Sequence, residues 1–97
     1  MEIDELLTAA MSAAALPSDN KLARRIGGSS SQISAWRKRF YYPKDETLIE
    51  LCELAGVPED VGLMWLNVWR SDEKAKPIYE KLARDLEKRA SKTNRAA

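Results

Sequence analysis

Apolar residues recur at three- and four-residue steps along almost the whole chain, and no stretch alternates apolar and polar as a half-buried strand would. That pattern restricts the chain to an all-α fold, because a 3.6-residue period puts an apolar stripe on one side of a helix. Ile3, Leu6, Leu7, Ala10 and Ala14 define a first amphipathic helix over 2–15, which Leu16-Pro17-Ser18 ends. Ser18 then suits the N-cap of a short second helix to Ile26, with Asp19 in its first turn. Gly27-Gly28 supplies a tight turn, and Ser29 with Gln32 has the spacing of a capping box, opening a third helix to about Arg39. Phe40–Lys44 reads as a loop closed by Asp45 as N-cap of a fourth helix, 46–55, which Gly56 stops. Pro58 suits the first position of a fifth helix over 58–70. A sixth covers 73–91 with Pro77 near its first turn, and 92–97 reads as a frayed, flexible tail. The expected fold is a single domain, 1–97, forming a compact bundle of five to six helices.

Two residue counts narrow the function. The chain has no histidine, and Cys52 is its only cysteine, so the usual zinc sites, an internal disulfide and an imidazole base are all excluded. Cys52 itself, on an apolar helical face, reads as a small buried hydrophobe. Glu50, Glu53, Glu59 and Asp60 read as solvated helix faces rather than as paired acid/base groups. No catalytic set, cofactor site or metal site is expected, and no small-molecule substrate. No apolar run approaches the roughly 18 residues that a membrane span requires. The start Met-Glu-Ile-Asp-Glu is acidic where an export signal is basic, so the expected location is the cytoplasm.

The net charge of +1 conceals a strong pattern. Residues 19–44 carry seven basic groups (Lys21, Arg24, Arg25, Arg37, Lys38, Arg39 and Lys44) against Asp19 alone, and acidic segments lie on either side. A basic block so placed is a candidate surface for a polyanion. Within it, Leu22 to Arg37 has the residue types of two short helices crossing through a tight turn. Ala23 is small enough for close approach, Gly27 makes the turn, and Leu22, Ile26, Ile33 and Trp36 point inward. The opposite side of the third helix then shows Ser30, Ser31, Ser34 and Lys38, small or polar as a groove-facing surface must be.

Leu22, Ala23, Gly27, Ser29, Ile33, Ser34 and Trp36 together resemble the helix-turn-helix of the lambda-repressor-like (Cro-type) DNA-binding domains. Gly28 replaces the apolar residue that follows the glycine in that family. The resemblance covers about residues 2–70 and implies a DNA-binding core over 2–56. Pro43, Asp45 and Thr47, the Leu54-Ala55-Gly56 ending and the basic last helix look like small regulators of filamentous bacteriophages and prophages. The resemblance implies base contacts from Ser30, Ser31, Gln32, Ser34 and Arg37 in the major groove. It implies phosphate contacts from Lys21, Ser29, Lys38, Arg39, Tyr42 and Lys44. Ser29 also serves as a cap, and Gln32 either completes the capping box or contacts DNA. Phe40, Tyr41 and Tyr42 read first as a loop anchor, with the Tyr42 hydroxyl reaching a phosphate.

The fifth helix carries Val61, Leu63, Met64, Trp65, Leu66, Val68 and Trp69, more apolar surface than a small monomer hides easily. The C-terminal helices, 57–91, are therefore expected to form a homodimer interface, with Trp65, Trp69, Tyr79 and Leu82 as anchors. The resulting expectation is a dimeric transcriptional regulator, a phage or prophage repressor on a palindromic double-stranded DNA operator. The alternative is a protein-interaction module, such as an antitoxin or adaptor, working through the same apolar helices.

Overall fold

A computed structural model describes residues 1–90 with their side chains and carries the helical backbone to Ala96. The described residues are all α-helical, with no strand. The helices are α1 (Ile3–Ala13), α2 (Asp19–Arg25), α3 (Ser30–Arg37), α4 (Asp45–Ala55), α5 (Glu59–Arg70) and α6 (Lys76–Ala96). The tail expected over 92–97 lies outside the residues described with side chains.

Both serine caps are present. Ser18 Oγ accepts the Lys21 N–H at 3.2 Å. Ser29 Oγ accepts the Gln32 N–H at 3.3 Å, while Gln32 Oε1 accepts the Ser29 N–H at 3.0 Å, completing the capping box. Asp45, expected as a cap, is instead the first residue of α4, preceded by an extended Lys44 that makes no side-chain cap. Its carboxylate pairs with Arg70 at 3.2 Å. Pro58 likewise stands just outside α5, and α6 begins at Lys76, so Pro77 occupies its first turn, where a missing N–H costs no helical bond.

The first four helices end alike. A residue in the left-handed region follows each, and the next residue donates its N–H to the carbonyl five positions back: Leu16 to Met11, Gly28 to Ala23, Phe40 to Ala35, and Val57 to Cys52. Gly27 (φ 72°) and Gly56 (φ 74°) fill that position after α2 and α4, but Ala15 (φ 55°) and Arg39 (φ 62°) fill it after α1 and α3. Those two reversals end α1 and α3 about two residues short of the bounds that the sequence suggests.

The main core joins Ile3, Leu6, Leu7 and Ala10 of α1, Leu22 and Ala23 of α2, Ile33 and Trp36 of α3, and Leu48, Leu51 and Cys52 of α4. Leu66 of α5 enters it too, so α5 belongs to both halves of the chain. Gly62 is needed where α5 crosses α4, because a methyl there would collide with Cys52 Sγ. A second, smaller cluster holds Val61, Trp65, Val68 and Ala83. Through it α6 packs on α5 and on no other helix among the described residues.

Candidate nucleic-acid interface

The α2–turn–α3 unit is locked from inside. Ile33 and Trp36 are buried against α1 and Leu22, which by the helical period turns the opposite side of α3 outward. Ser30, Ser31, Ser34 and Lys38 are all exposed on that side and line a shallow, open depression bounded by Phe40. Among α1 to α5, α3 alone has no acidic residue in its first turn, and Asp19 of α2, which also lines the depression, has its carboxylate taken up by Arg37.

Gln32 lies on the other rim of α3, its amide occupied by the capping box. That amide fills the space a Cβ at position 28 would take. Gly28 therefore suits this turn where the family resembled places an apolar side chain.

Arg37 is not among the outward residues. Its guanidinium forks onto Asp19, with Nε to Oδ2 at 3.0 Å and Nη2 to Oδ1 at 2.8 Å, and Nη1 lies 3.6 Å from Asp4 Oδ1. The Asp19 hydrogen bond raises its pKa further, against partial burial. Asp4 Oδ1 is buried without a hydrogen-bond donor and is held by this charge pairing. Arg39 is engaged in the same way, at 3.2 Å from Glu2 and 4.0 Å from Asp4. Both arginines expected at DNA are instead engaged within the chain: Arg37 ties α3 to Asp19 of α2 and Asp4 of α1, and Arg39, just beyond α3, meets Glu2 and Asp4 at the start of α1.

The remaining basic groups of the block stand differently. Lys21, Lys38 and Lys44 are exposed and form no ion pair among the described residues; the same holds for Arg24 and Arg25 on α2, which the motif pattern had not singled out. The charge count contained Arg24 and Arg25, but a pattern centred on α3 directs attention away from α2. With Arg37 and Arg39 neutralised by their partners, these five cations carry the excess positive charge of the region.

Comparison with protein-family models, curated proteins and solved structures finds no match. What the site can do therefore rests on its own geometry.

Two aromatic assignments change, both of tryptophans. Tyr42 is half-buried and stacks on Trp69, with ring centroids 5.8 Å apart at 25°, so its ring anchors the α3–α4 loop. Trp69 also donates its indole N–H to the Met1 carbonyl at 2.9 Å. Trp65 is buried, donates to Glu87 Oε1 and lies under Arg84, whose guanidinium carbon is 5.8 Å from the ring centroid. Both tryptophans expected at a subunit interface are thus intramolecular, because α6 and the N-terminus cover them. Tyr79 and Leu82 do remain exposed, next to Ile78, at 37%, 44% and 65%.

Among the described residues no group of three Cys, Asp or Glu side chains is placed to hold a metal ion. Among these residues no helix is long and apolar enough to cross a membrane.

Proposed function

We propose that this chain is a sequence-specific regulator of transcription that binds double-stranded DNA, with α3 in the major groove. The observation that carries the reading is the division of α3. Ile33 and Trp36 are committed to the core, while Ser30, Ser31, Ser34 and Lys38 form a small, polar outward face, and the one carboxylate lining the same depression, Asp19, is paired with Arg37. Short side chains let the helix approach base edges, and hydroxyls can both donate and accept there. Lys21, Arg24, Arg25, Lys38 and Lys44 supply the sequence-independent attraction to phosphates. Arg37 and Arg39 act as braces and leave the contact set.

A single short helix reads only a few base pairs, so the proposal includes a homodimer on a two-fold operator. Ile78, Tyr79 and Leu82 on α6 replace the tryptophans as the contact surface. The likeness to small phage and prophage regulators makes repression in the bacterial cytoplasm, at the nucleoid, the specific form of the proposal. The same α6 residues favour the second reading, a protein-binding adaptor or antitoxin.

Selection of bound duplexes from a randomised pool separates the two. The DNA reading expects a recovered two-fold motif whose affinity falls with salt. The slope of log K against log salt is about −0.9 per phosphate neutralised, so five contacts from each protomer of the dimer give about −9. Recovery of no motif, or binding indifferent to salt, contradicts it.

A further inference from the structure

The residue after each left-handed helix end donates the same backbone hydrogen bond, yet the side chains there have different fates. Leu16 after α1 and Val57 after α4 pack on the main core. Phe40 after α3 does not: it is 76% exposed, the most exposed large apolar side chain among the described residues.

Its backbone is nonetheless fixed on both sides. The Phe40 N–H donates to the Ala35 carbonyl at 3.0 Å, the preceding Arg39 is tied to Glu2, and Pro43 and Tyr42 beyond it are buried or stacked on Trp69. The ring is thus held in solvent by a rigid frame, on the edge of the depression lined by Ser30, Ser31, Ser34 and Lys38. Lys38 Nζ lies 5.9 Å from the ring centroid, placing a phosphate-seeking charge beside it.

Resting on the DNA reading above, we infer that Phe40 is a further specificity-determining contact, packing against the C5-methyl group of a thymine beside the α3 face. A phenyl ring offers no hydrogen bond, so apolar contact is what it adds. The one apolar group that the bases present in the major groove is the thymine methyl.

The test replaces each thymine of the selected duplex, one at a time, by deoxyuridine, which keeps the base pair and removes the methyl. Binding is measured for the wild type and for Phe40→Ala, whose fold is checked by circular dichroism and thermal melting. The expected result is a position where uracil weakens the wild type about fourfold, the worth of one buried methyl, and leaves Phe40→Ala unaffected. A wild type that binds its duplex but ignores uracil everywhere overturns this contact alone, as does Phe40→Ala remaining equally sensitive. A wild type that selects no duplex overturns the DNA reading and this contact with it.

Discussion

The α1–α4 bundle and the α5–α6 pair solve the same packing problem with unequal means. The bundle draws core residues from each of its helices, nearly all without solvent exposure, and closes all four helix ends with the same reversal. Among the described residues the α5–α6 cluster has four buried members, of which Ala83 alone comes from α6. On the bundle the exposed large apolar side chains are Phe40 and Tyr41, in the loop beside the polar α3 face; on α6 they are Ile78, Tyr79 and Leu82. Under the proposed function the difference divides the work: the tightly packed bundle would present the reading face, and α6 has apolar surface left with which to join copies.

The largest expected effect lies in the bundle. Trp36→Ala removes the buried ring that fixes α3 and is expected to cost about 3–5 kcal/mol in urea unfolding. Trp36→Phe is the sharper variant. The indole N–H is buried without a hydrogen-bond partner, so its removal lifts a desolvation cost, and the expected loss is under about 1.5 kcal/mol. Equal losses for the two would mean that the ring is not what positions the helix.

The seam between the regions comes next. Gly62→Ala forces a methyl into Cys52 Sγ and is expected to cost about 1–3 kcal/mol, partly restored by Cys52→Ala in the same chain. No coupling between the two changes would show that α5 shifts freely on α4, and the regions would then be less joined than Leu66 indicates.

Cys52 also reports the seam through pH. Burial, aided by Glu59 and Glu53, pushes its thiol up from 9.0 to about 11. A folded-state pKa raised above the unfolded one gives stability that is complete below pH 9 and is lost as pH rises from 9 through 11. The wild type is therefore expected to lose about 2 kcal/mol more than Cys52→Ala across that window in parallel denaturation curves. Parallel pH profiles would mean that water reaches the thiol.

The smallest effect on folding belongs to α6. Leu82→Lys is expected to change stability by under about 0.5 kcal/mol, because the side chain is already 44% exposed. Sedimentation should nonetheless move from dimer toward monomer. An unchanged sedimentation coefficient would remove α6 from the interface.

The helices of both regions were legible because apolar spacing and local caps are sequence-near signals. Ser18, Ser29 and Gln32 cap where their spacing says they should. The reversals at Ala15 and Arg39 were not, since neither residue favours the left-handed region and only the finished turn holds it there. For the site, the inward Ile33 and Trp36 and the outward serines followed from period alone. The fate of the charges did not: Arg37 meets Asp19 from eighteen positions away and Asp4 from farther still, so no local pattern reveals the pairing. Trp65 and Trp69 failed for a related reason. Counting apolar residues on α5 shows that they need cover, but it does not say whether α6, Met1 and Tyr42 or a second subunit provides it.

The central claim is that the α3 face reads sequence while the rest holds it in place. The most direct measurement is the affinity of a Ser30→Ala, Ser31→Ala, Ser34→Ala triple variant for the selected duplex and for an unrelated duplex at one salt concentration. If hydroxyls read bases, the variant should melt like the wild type, lose about 1–3 kcal/mol for each reading contact on the selected duplex, and lose almost nothing on the unrelated one. Equal loss on both duplexes, or no loss on either with the fold intact, would contradict the assignment of α3 as the reading helix.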